Sequence, residues 1–175
     1  MTPIAVLDTS VAIDLHRGDL FDALFKLPAR YMVPDIMYAD ELQAWFGEAL
    51  LSRGLIVQEL QETEIAEARE FLRRYPSLSV PDAYAMALSA KGRHTVLAGA
   101  RDMREIGAEI GIEVRGVLHV FDMIEDAQLL SPASLHTCLT MVCRSRRVRL
   151  PQDEVDARYA RYSSIAWPKQ TDAAG

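Results

Sequence analysis

Apolar and polar residues follow two kinds of pattern along this chain. Short apolar runs that end at a proline, a glycine or an acidic residue are typical of buried strands. Longer stretches with apolar residues three and four positions apart are typical of amphipathic helices. The short runs predict strands at residues 4–7, 31–33, 55–60, 94–98 and 112–115.

Helices are predicted between these strands and after the last one, and glycine or proline follows several of them, as expected at helix ends. The longest carries an apolar stripe that includes Trp45 and Phe46, which are interpreted as core side chains rather than as a surface for stacking bases. The predicted helices are residues 9–17, 20–27, 35–52, 62–75, 80–90, 102–109, 117–128 and 134–144, with a last, polar helix from residue 151.

Strands that alternate with helices predict an α/β fold, in which a central parallel sheet lies between two layers of helices. We expect a single domain over residues 1–165 and a flexible tail over 166–175, because a chain of 175 residues is too short for two comfortable cores. In sheets of this kind, ligands bind beyond the carboxyl ends of the strands. That rule singles out Asp8 after the first strand and residues 99–102 after a later one.

The apolar start of the chain has no basic residue before it and is interrupted by acids, so neither a secretion signal nor a membrane span is predicted. The two cysteines, Cys138 and Cys143, form neither a CxxC pair nor a disulfide framework. We therefore expect a cytoplasmic protein.

The formal net charge is −6, so binding to a nucleic acid would require a local cluster of basic residues. One such cluster exists, formed by Arg144, Arg146, Arg147 and Arg149. A run of this kind is more often a solvated face, and a nucleic-acid contact is the less frequent alternative.

Two aspartates lie at the starts of predicted helices. Asp8 follows the first strand, and Asp82 follows Ser79 at the spacing of a capping box, with Pro81 in the first turn. Aspartate caps helices well, so capping and a functional role are both open for each of them. The helix after Asp82 is almost entirely small and apolar, so Asp82 is the only charge that opens it.

Glu41 is more informative because it lies within the apolar stripe of its predicted helix. Its neighbours one turn away are Met37, Tyr38, Ala44 and Trp45. A carboxylate buried there without a partner is costly, so an inward Glu41 needs a cation. The alternative is a side chain that reaches outward to solvent.

Together, Asp8, Glu41 and Asp82 predict one divalent-metal site. Mg²⁺ and Mn²⁺ prefer carboxylate oxygens, and nucleases use such ions to bind phosphate and activate water. The four histidines are scattered, and no histidine or cysteine pattern typical of zinc is present. Phosphate-binding glycine loops and the GxSxG motif are also absent.

The order of these segments resembles the PIN domain, especially its toxin-like ribonuclease branch. VLDTSVAIDL is similar to the first motif of that family, with Asp8 the metal-binding acid and Ser10 the accompanying hydroxyl. The segment with YADEL resembles the one that carries the second acid, here Glu41, and SVPDAYAMALSA resembles the third motif, here Asp82. The resemblance covers about residues 4–160, and its last part is similar to a subgroup with extra C-terminal helices.

The fourth motif departs from the family pattern. VLAGARDMREIG resembles that motif, in which Thr-Gly-Asp normally follows a strand, but this chain has Ala98-Gly99-Ala100. The fourth acid and the hydroxyl before it are therefore missing. Asp102, two residues further on, is the candidate replacement from the first helical turn. The alternative is a helix-terminus role, because a negative charge at a helix N-terminus is favourable without any catalytic role.

The resemblance implies an Mg²⁺- or Mn²⁺-dependent endoribonuclease that hydrolyses RNA phosphodiester bonds as the toxin of a toxin–antitoxin pair. It also implies a homodimer and a small antitoxin protein that inserts beside the acidic site. The altered fourth motif favours an alternative, a catalytically impaired PIN-like module that binds RNA or a protein partner. A metal-dependent phosphatase is more distant, since Asp8 is followed by Thr9 and Ser10 rather than by the second aspartate of a paired nucleophile motif.

Overall fold

The computed structural model describes residues 2–145 and 150–164. Within these ranges the strands are β1 (Ile4–Leu7), β2 (Arg30–Pro34), β3 (Ile56–Gln58), β4 (Thr95–Leu97) and β5 (Val114–Arg115). The helices are α1 (Thr9–Arg17), α2 (Phe21–Lys26), α3 (Asp35–Met37), a π-helix (Tyr38–Gly47), α4 (Glu48–Leu51), α5 (Glu62–Arg74), α6 (Val80–Gly92), α7 (Arg101–Ile110), α8 (Val117–Asp126), α9 (Pro132–Cys143) and α10 (Gln152–Ser164).

The five strands form one parallel sheet in the order β3-β2-β1-β4-β5. Helices cover both of its faces, which confirms the predicted three-layer α/β/α fold. The chain builds one half of the sheet outward from β1 to β3 and then returns to place β4 on the other side of β1. The strand order therefore reverses between β1 and β4, and ligands of such sheets bind at that point.

Apolar side chains pack on both faces of the sheet. In β4, Leu97 joins the larger cluster, formed with α1, α2, α8 and α9, whereas Val96 joins the smaller cluster, formed with α5, α6 and α7. Successive residues of a strand point to opposite faces, so Val96 and Leu97 lie on opposite faces of the sheet. The larger cluster also contains the consecutive residues Ala5, Val6 and Leu7 of β1, so it extends over both faces. Both clusters are built on the short apolar runs from which the strands were predicted.

The predicted helix over residues 35–52 differs from the structure. Its middle is a π-helix, and Phe46 inside it has a non-helical backbone, with φ −142° and ψ 18°. The prediction that Trp45 is a core residue is wrong, because 83% of Trp45 is exposed, whereas Phe46 is buried as expected. A stripe drawn with 3.6 residues per turn does not hold in a π-helix, whose hydrogen bonds span five residues.

The last helix, α10, packs on the domain through buried side chains and an ion pair. Val155 and Tyr162 of α10 are buried, and Arg158, also buried, donates to both carboxylate oxygens of Asp122 in α8, over 2.9 and 2.5 Å. The polar pattern of this segment therefore did not reveal its buried apolar residues or its partly buried ion pair. The predicted tail, residues 166–175, lies outside the described residues.

Candidate active site

Asp8 lies directly after β1, at the point where the strand order reverses. Its backbone N–H donates to the Leu97 carbonyl at the end of β4, over 2.9 Å. The residue is 6% exposed, and it is the N-cap of α1, where its Oδ2 accepts from the Ser10 backbone N–H over 3.0 Å. The capping role considered from the sequence is therefore confirmed, and it holds the carboxylate in a buried position.

Ser10 connects Asp8 with the altered fourth motif. Its hydroxyl donates to Asp8 Oδ2 and accepts from the Gly99 backbone N–H, over 3.0 Å. A Cβ atom at position 99 would lie 3.2 Å from Ser10 Oγ, so this close approach favours glycine. Ser10 thus joins the ends of β1 and β4 beside the carboxylate, and its supporting role at a metal site stays a prediction.

Glu41 reaches the same region from the π-helix. It is partly buried, and its Oε2 accepts a hydrogen bond from the Thr9 hydroxyl at the start of α1. Two of its expected apolar neighbours, Ala44 and Trp45, are exposed. The Thr9 hydroxyl therefore fixes the Glu41 carboxylate toward α1, and only part of the expected apolar stripe surrounds it.

Asp82 opens α6, whose following residues are mostly buried. Its carboxylate accepts from the Ser79 backbone N–H over 3.0 Å, and its own N–H donates to Ser79 Oγ over 3.2 Å. The capping box expected from the sequence is therefore present. Asp82 is itself partly buried.

The electrostatics relate these three acids to one another. The pKa of Asp8 is raised to about 6: burial is the largest cause, the negative charges of Asp82 and Glu41 also raise it, and the hydrogen bonds from Ser10 lower it. Desolvation and like charge both disfavour an ionised carboxylate. Asp82 and Glu41 thus lie close enough to Asp8 to act on its ionisation.

In residues 2–145 and 150–164, no three acidic, histidine or cysteine side chains are grouped so that they could hold a metal ion. The carboxylates of Asp8, Glu41 and Asp82 are each engaged by a neighbouring hydroxyl or N–H group. Asp102, in the first turn of α7, accepts from the Met103 backbone N–H over 3.0 Å. That contact fits the helix-terminus role, and a metal site formed by these acids stays a prediction.

The predicted arginine cluster lies mostly beyond what the structure describes. Arg144 ends α9 and is exposed. Arg146, Arg147 and Arg149 lie outside the described residues, so the nucleic-acid contact proposed for this run stays a prediction.

Two polar residues of α1 were not singled out from the sequence. Thr9 follows Asp8 directly, but its partner is 32 residues further along the chain, and no local pattern shows that. Asp14 is 9% exposed; burial raises its pKa to about 6, although Arg17 lies 3.3 Å away. The signal for Asp14 was its position between Val11 and Leu15 on the apolar face of α1.

The fold and the acids at the switch point define a parallel α/β protein with an acidic site beyond its strand ends. A family model described as PIN domain (DUF3368) matches residues 4–163. The chain therefore belongs to the PIN-domain family. PIN domains are typically nucleases and generally use divalent metal ions.

Among solved structures, the chain is similar to a PilT N-terminus domain protein from the hyperthermophilic archaeon Sulfolobus solfataricus P2. The TM-score is 0.51 with 13% identical residues, over 71% of this chain and 92% of the other. That likeness concerns the fold. A comparison with curated proteins found no match. None of the helices in the described ranges is long and apolar enough to cross a membrane.

Proposed function

We propose that this PIN-domain protein is a divalent-metal-dependent endoribonuclease and acts as the toxin of a toxin–antitoxin pair. The observation that carries the proposal is the buried Asp8, whose pKa is raised to about 6 by burial and by the charges of Asp82 and Glu41. Buried like charges are relieved by a proton or by a cation. A cation bound at the switch point of the sheet would relieve the like charges that act on Asp8.

The residues fit a divalent ion in their chemistry, since Mg²⁺ and Mn²⁺ prefer carboxylate oxygens. Asp8, Glu41 and Asp82 would hold it. Such an ion supplies charge neutralisation at the phosphate and a more acidic water for phosphodiester hydrolysis.

The hydroxyls of α1 orient the acids. Ser10 donates to Asp8 through both its N–H and its hydroxyl, and these bonds lower the pKa of Asp8 against the effect of burial. Ser10 thereby favours the ionised carboxylate, the form that binds cations. Thr9 donates a hydrogen bond to Glu41 and thereby fixes the direction of its carboxylate.

Cleavage of RNA in the presence of Mn²⁺ tests the activity directly. We expect the purified protein to cut a single-stranded RNA and the Asp8→Asn variant to lose the cut, because asparagine caps α1 equally well but carries no charge. Asp126→Asn, an exposed residue at the end of α8, is the matched control and should cut as the wild type does. Cleavage by Asp8→Asn at the wild-type rate would overturn the proposed mechanism.

The toxin role adds two partners to the proposal. A small antitoxin that inserts a basic side chain among these carboxylates would neutralise them as an ion does, which gives inhibition a physical basis. The homodimer expected from the family resemblance belongs to the same proposal. Sedimentation of the purified chain measures that oligomeric state, and a monomer at all concentrations would remove the homodimer from it.

One observation favours the alternative, a PIN-like module without catalytic activity that binds RNA or a protein. Ala100 is the N-cap of α7 and makes no side-chain hydrogen bond, so no acid stands where the family motif has one. Substitution of Ala100, described in the Discussion, distinguishes the two functions.

A further inference from the structure

A cleft of about 270 Å³ lies beside the acidic site, between the ends of β4 and β5 and the helices α8 and α10. Gly99, whose N–H donates to Ser10, is part of its lining. The cleft and the acidic site therefore share the loop that follows β4.

Most charges in this cleft are balanced within the protein. Arg158 is paired with Asp122 over 2.5 Å and with Glu154 over 3.6 Å. Arg115 is paired with Glu113 over 2.8 Å, and Asp14 with Arg17 over 3.3 Å. Salt bridges of this kind leave little net charge for a ligand to meet.

Arg104 is different. It is exposed and lines the cleft, and within the described part of the chain no carboxylate pairs with it. Its Nη1 donates to the Gly99 carbonyl over 3.0 Å. The same atom would lie 4.0 Å from a Cβ at position 116, so the guanidinium extends across Gly116 at the start of α8.

The surroundings of Arg104 add to its positive potential. The N-terminus of α8 has no side-chain cap and no acid in its first turn, and free N–H groups at a helix start are partly positive. His119, in the same turn, also lines the cleft. Among the cleft's arginines in the described residues, Arg104 therefore lacks a carboxylate partner and is free to meet an anion.

The opposite side of the acidic site has the reverse charge. A groove there, between the π-helix, α5 and α6, is lined by Asp35, Asp40 and Glu59, with no basic residue among its lining. A polyanion is repelled along that groove and attracted along the cleft at Arg104. We therefore expect a nucleic-acid strand to extend from the acidic site toward the cleft at Arg104 and away from the acidic groove.

We propose that the cleft binds a backbone phosphate of the RNA strand next to the one at Asp8, and that Arg104 contacts it. This proposal rests on the proposed ribonuclease function and identifies where its substrate lies. Arginine recognises phosphate through paired N–H groups. Arg104 is connected to Asp8 by hydrogen bonds through Gly99 and Ser10, so a phosphate held by Arg104 lies next to the acids.

The test is binding of a fluorescein-labelled, mixed-sequence, single-stranded RNA, measured by anisotropy in EDTA so that no cleavage occurs. The variant is Arg104→Gln, which removes the charge but keeps a donor for the Gly99 carbonyl. The control is Arg101→Gln on the same helix, because Arg101 is paired with Glu105 over 2.8 Å. Thermal melting checks that both variants fold.

We expect Arg104→Gln to bind the RNA roughly tenfold more weakly, the size expected for a lost bond to a charged group. Its slope of log affinity against log salt should be shallower by about 0.7, the value for one lost contact with a single strand. Arg101→Gln should bind as the wild type does. Equal binding by Arg104→Gln and the wild type, equal losses in both variants, or a wild type that does not bind RNA would each overturn the proposal.

Cleavage by the wild type in Mn²⁺, measured separately, distinguishes a failure of the ribonuclease function from a failure of the phosphate site. A wild type that binds RNA through Arg104 but does not cut it contradicts the ribonuclease function and leaves the phosphate site standing. A wild type that cuts RNA while Arg104→Gln binds normally contradicts the phosphate site alone.

Discussion

The Thr9 hydroxyl donates a hydrogen bond to the carboxylate of Glu41, 32 residues further along the chain. This bond joins the first turn of α1 to the π-helix at the carboxyl end of the sheet. Ser10, which follows Thr9, donates the equivalent hydrogen bond to Asp8. Two consecutive hydroxyl residues thus each hold one of the acids that the sequence singled out.

Replacing Thr9 with valine keeps the shape of the side chain and removes the donor. We expect Thr9→Val to lower the free energy of unfolding by roughly 1.5–3 kcal/mol, the range for hydrogen bonds to charged groups, reduced toward the lower end because Glu41 is only partly buried. Urea denaturation measures the change. Thr63→Val, at an exposed position on α5, is the control, and equal losses in both variants would show that the Thr9 bond contributes nothing.

Stability should depend on pH through two buried acids of α1. The pKa values of Asp8 and Asp14 are raised from 3.8 to about 6, so the folded protein binds protons more tightly than the unfolded chain in that window. The free energy of unfolding therefore falls as the pH rises from about 4 to about 6, and the loss is complete above pH 6. A shift of this size corresponds to on the order of 2–3 kcal/mol for Asp8.

The Asp8→Asn variant tests that dependence. It should melt at a higher temperature than the metal-free wild type at pH 7 and show a flatter pH profile, with the remaining slope due to Asp14. Asp126→Asn should follow the wild-type profile. If Asp8→Asn melts lower than the wild type at pH 7 and keeps its slope, burial of the Asp8 charge carries no cost.

Metal binding can be followed without any assay of activity. A ligand that binds only the folded state stabilises it by mass action, so millimolar Mn²⁺ should raise the melting temperature of the wild type. Glu41→Gln should show a much smaller rise, because the amide keeps an oxygen for Thr9 but loses its charge. Glu48→Gln, an exposed residue of α4, should behave as the wild type does. Identical shifts in Glu41→Gln and the wild type would exclude Glu41 as a ligand.

Ala100 separates an active nuclease from an inactive module. As the uncapped N-cap of α7, it can be replaced by asparagine or aspartate, and asparagine should stabilise the protein by about 1 kcal/mol through capping alone. Only Ala100→Asp adds a fourth carboxylate and should bind Mn²⁺ more tightly in the thermal shift. An inert wild type with a cleaving Ala100→Asp variant supports the module, whereas cleavage by the wild type supports the enzyme.

Local patterns were sufficient for most of the framework. The apolar run at Ile4–Leu7 ends at an acid, and the structure places a strand and then the cap of α1 there. The capping box of Ser79 and Asp82 was also readable, since its partners are three residues apart. Helix caps and buried strands depend on neighbours in the sequence, and such features can be predicted from it.

The π-helix and its consequences were not predictable in this way. Its wider turn places Trp45 in solvent and Glu41 beside Thr9. The sequence did not predict either position, because the spacing of apolar residues is interpreted with an α-helical period. In the sequence, Arg104 is likewise an ordinary helix residue. Its proposed phosphate contact follows from the ion pairs of Arg115 and Arg158 in the same cleft, which leave Arg104 as the arginine without a carboxylate partner in the described residues.

The sequence by itself determined the parallel α/β fold and the caps formed by Asp8 and Asp82, because burial patterns and helix caps are local properties of the chain. The tertiary structure decided which hydroxyl holds each acid, which charges cancel and which side of the site is open to an anion. Those relations join residues that are distant in sequence, such as Ser10 and Gly99, and they exist only once the ends of the strands come together.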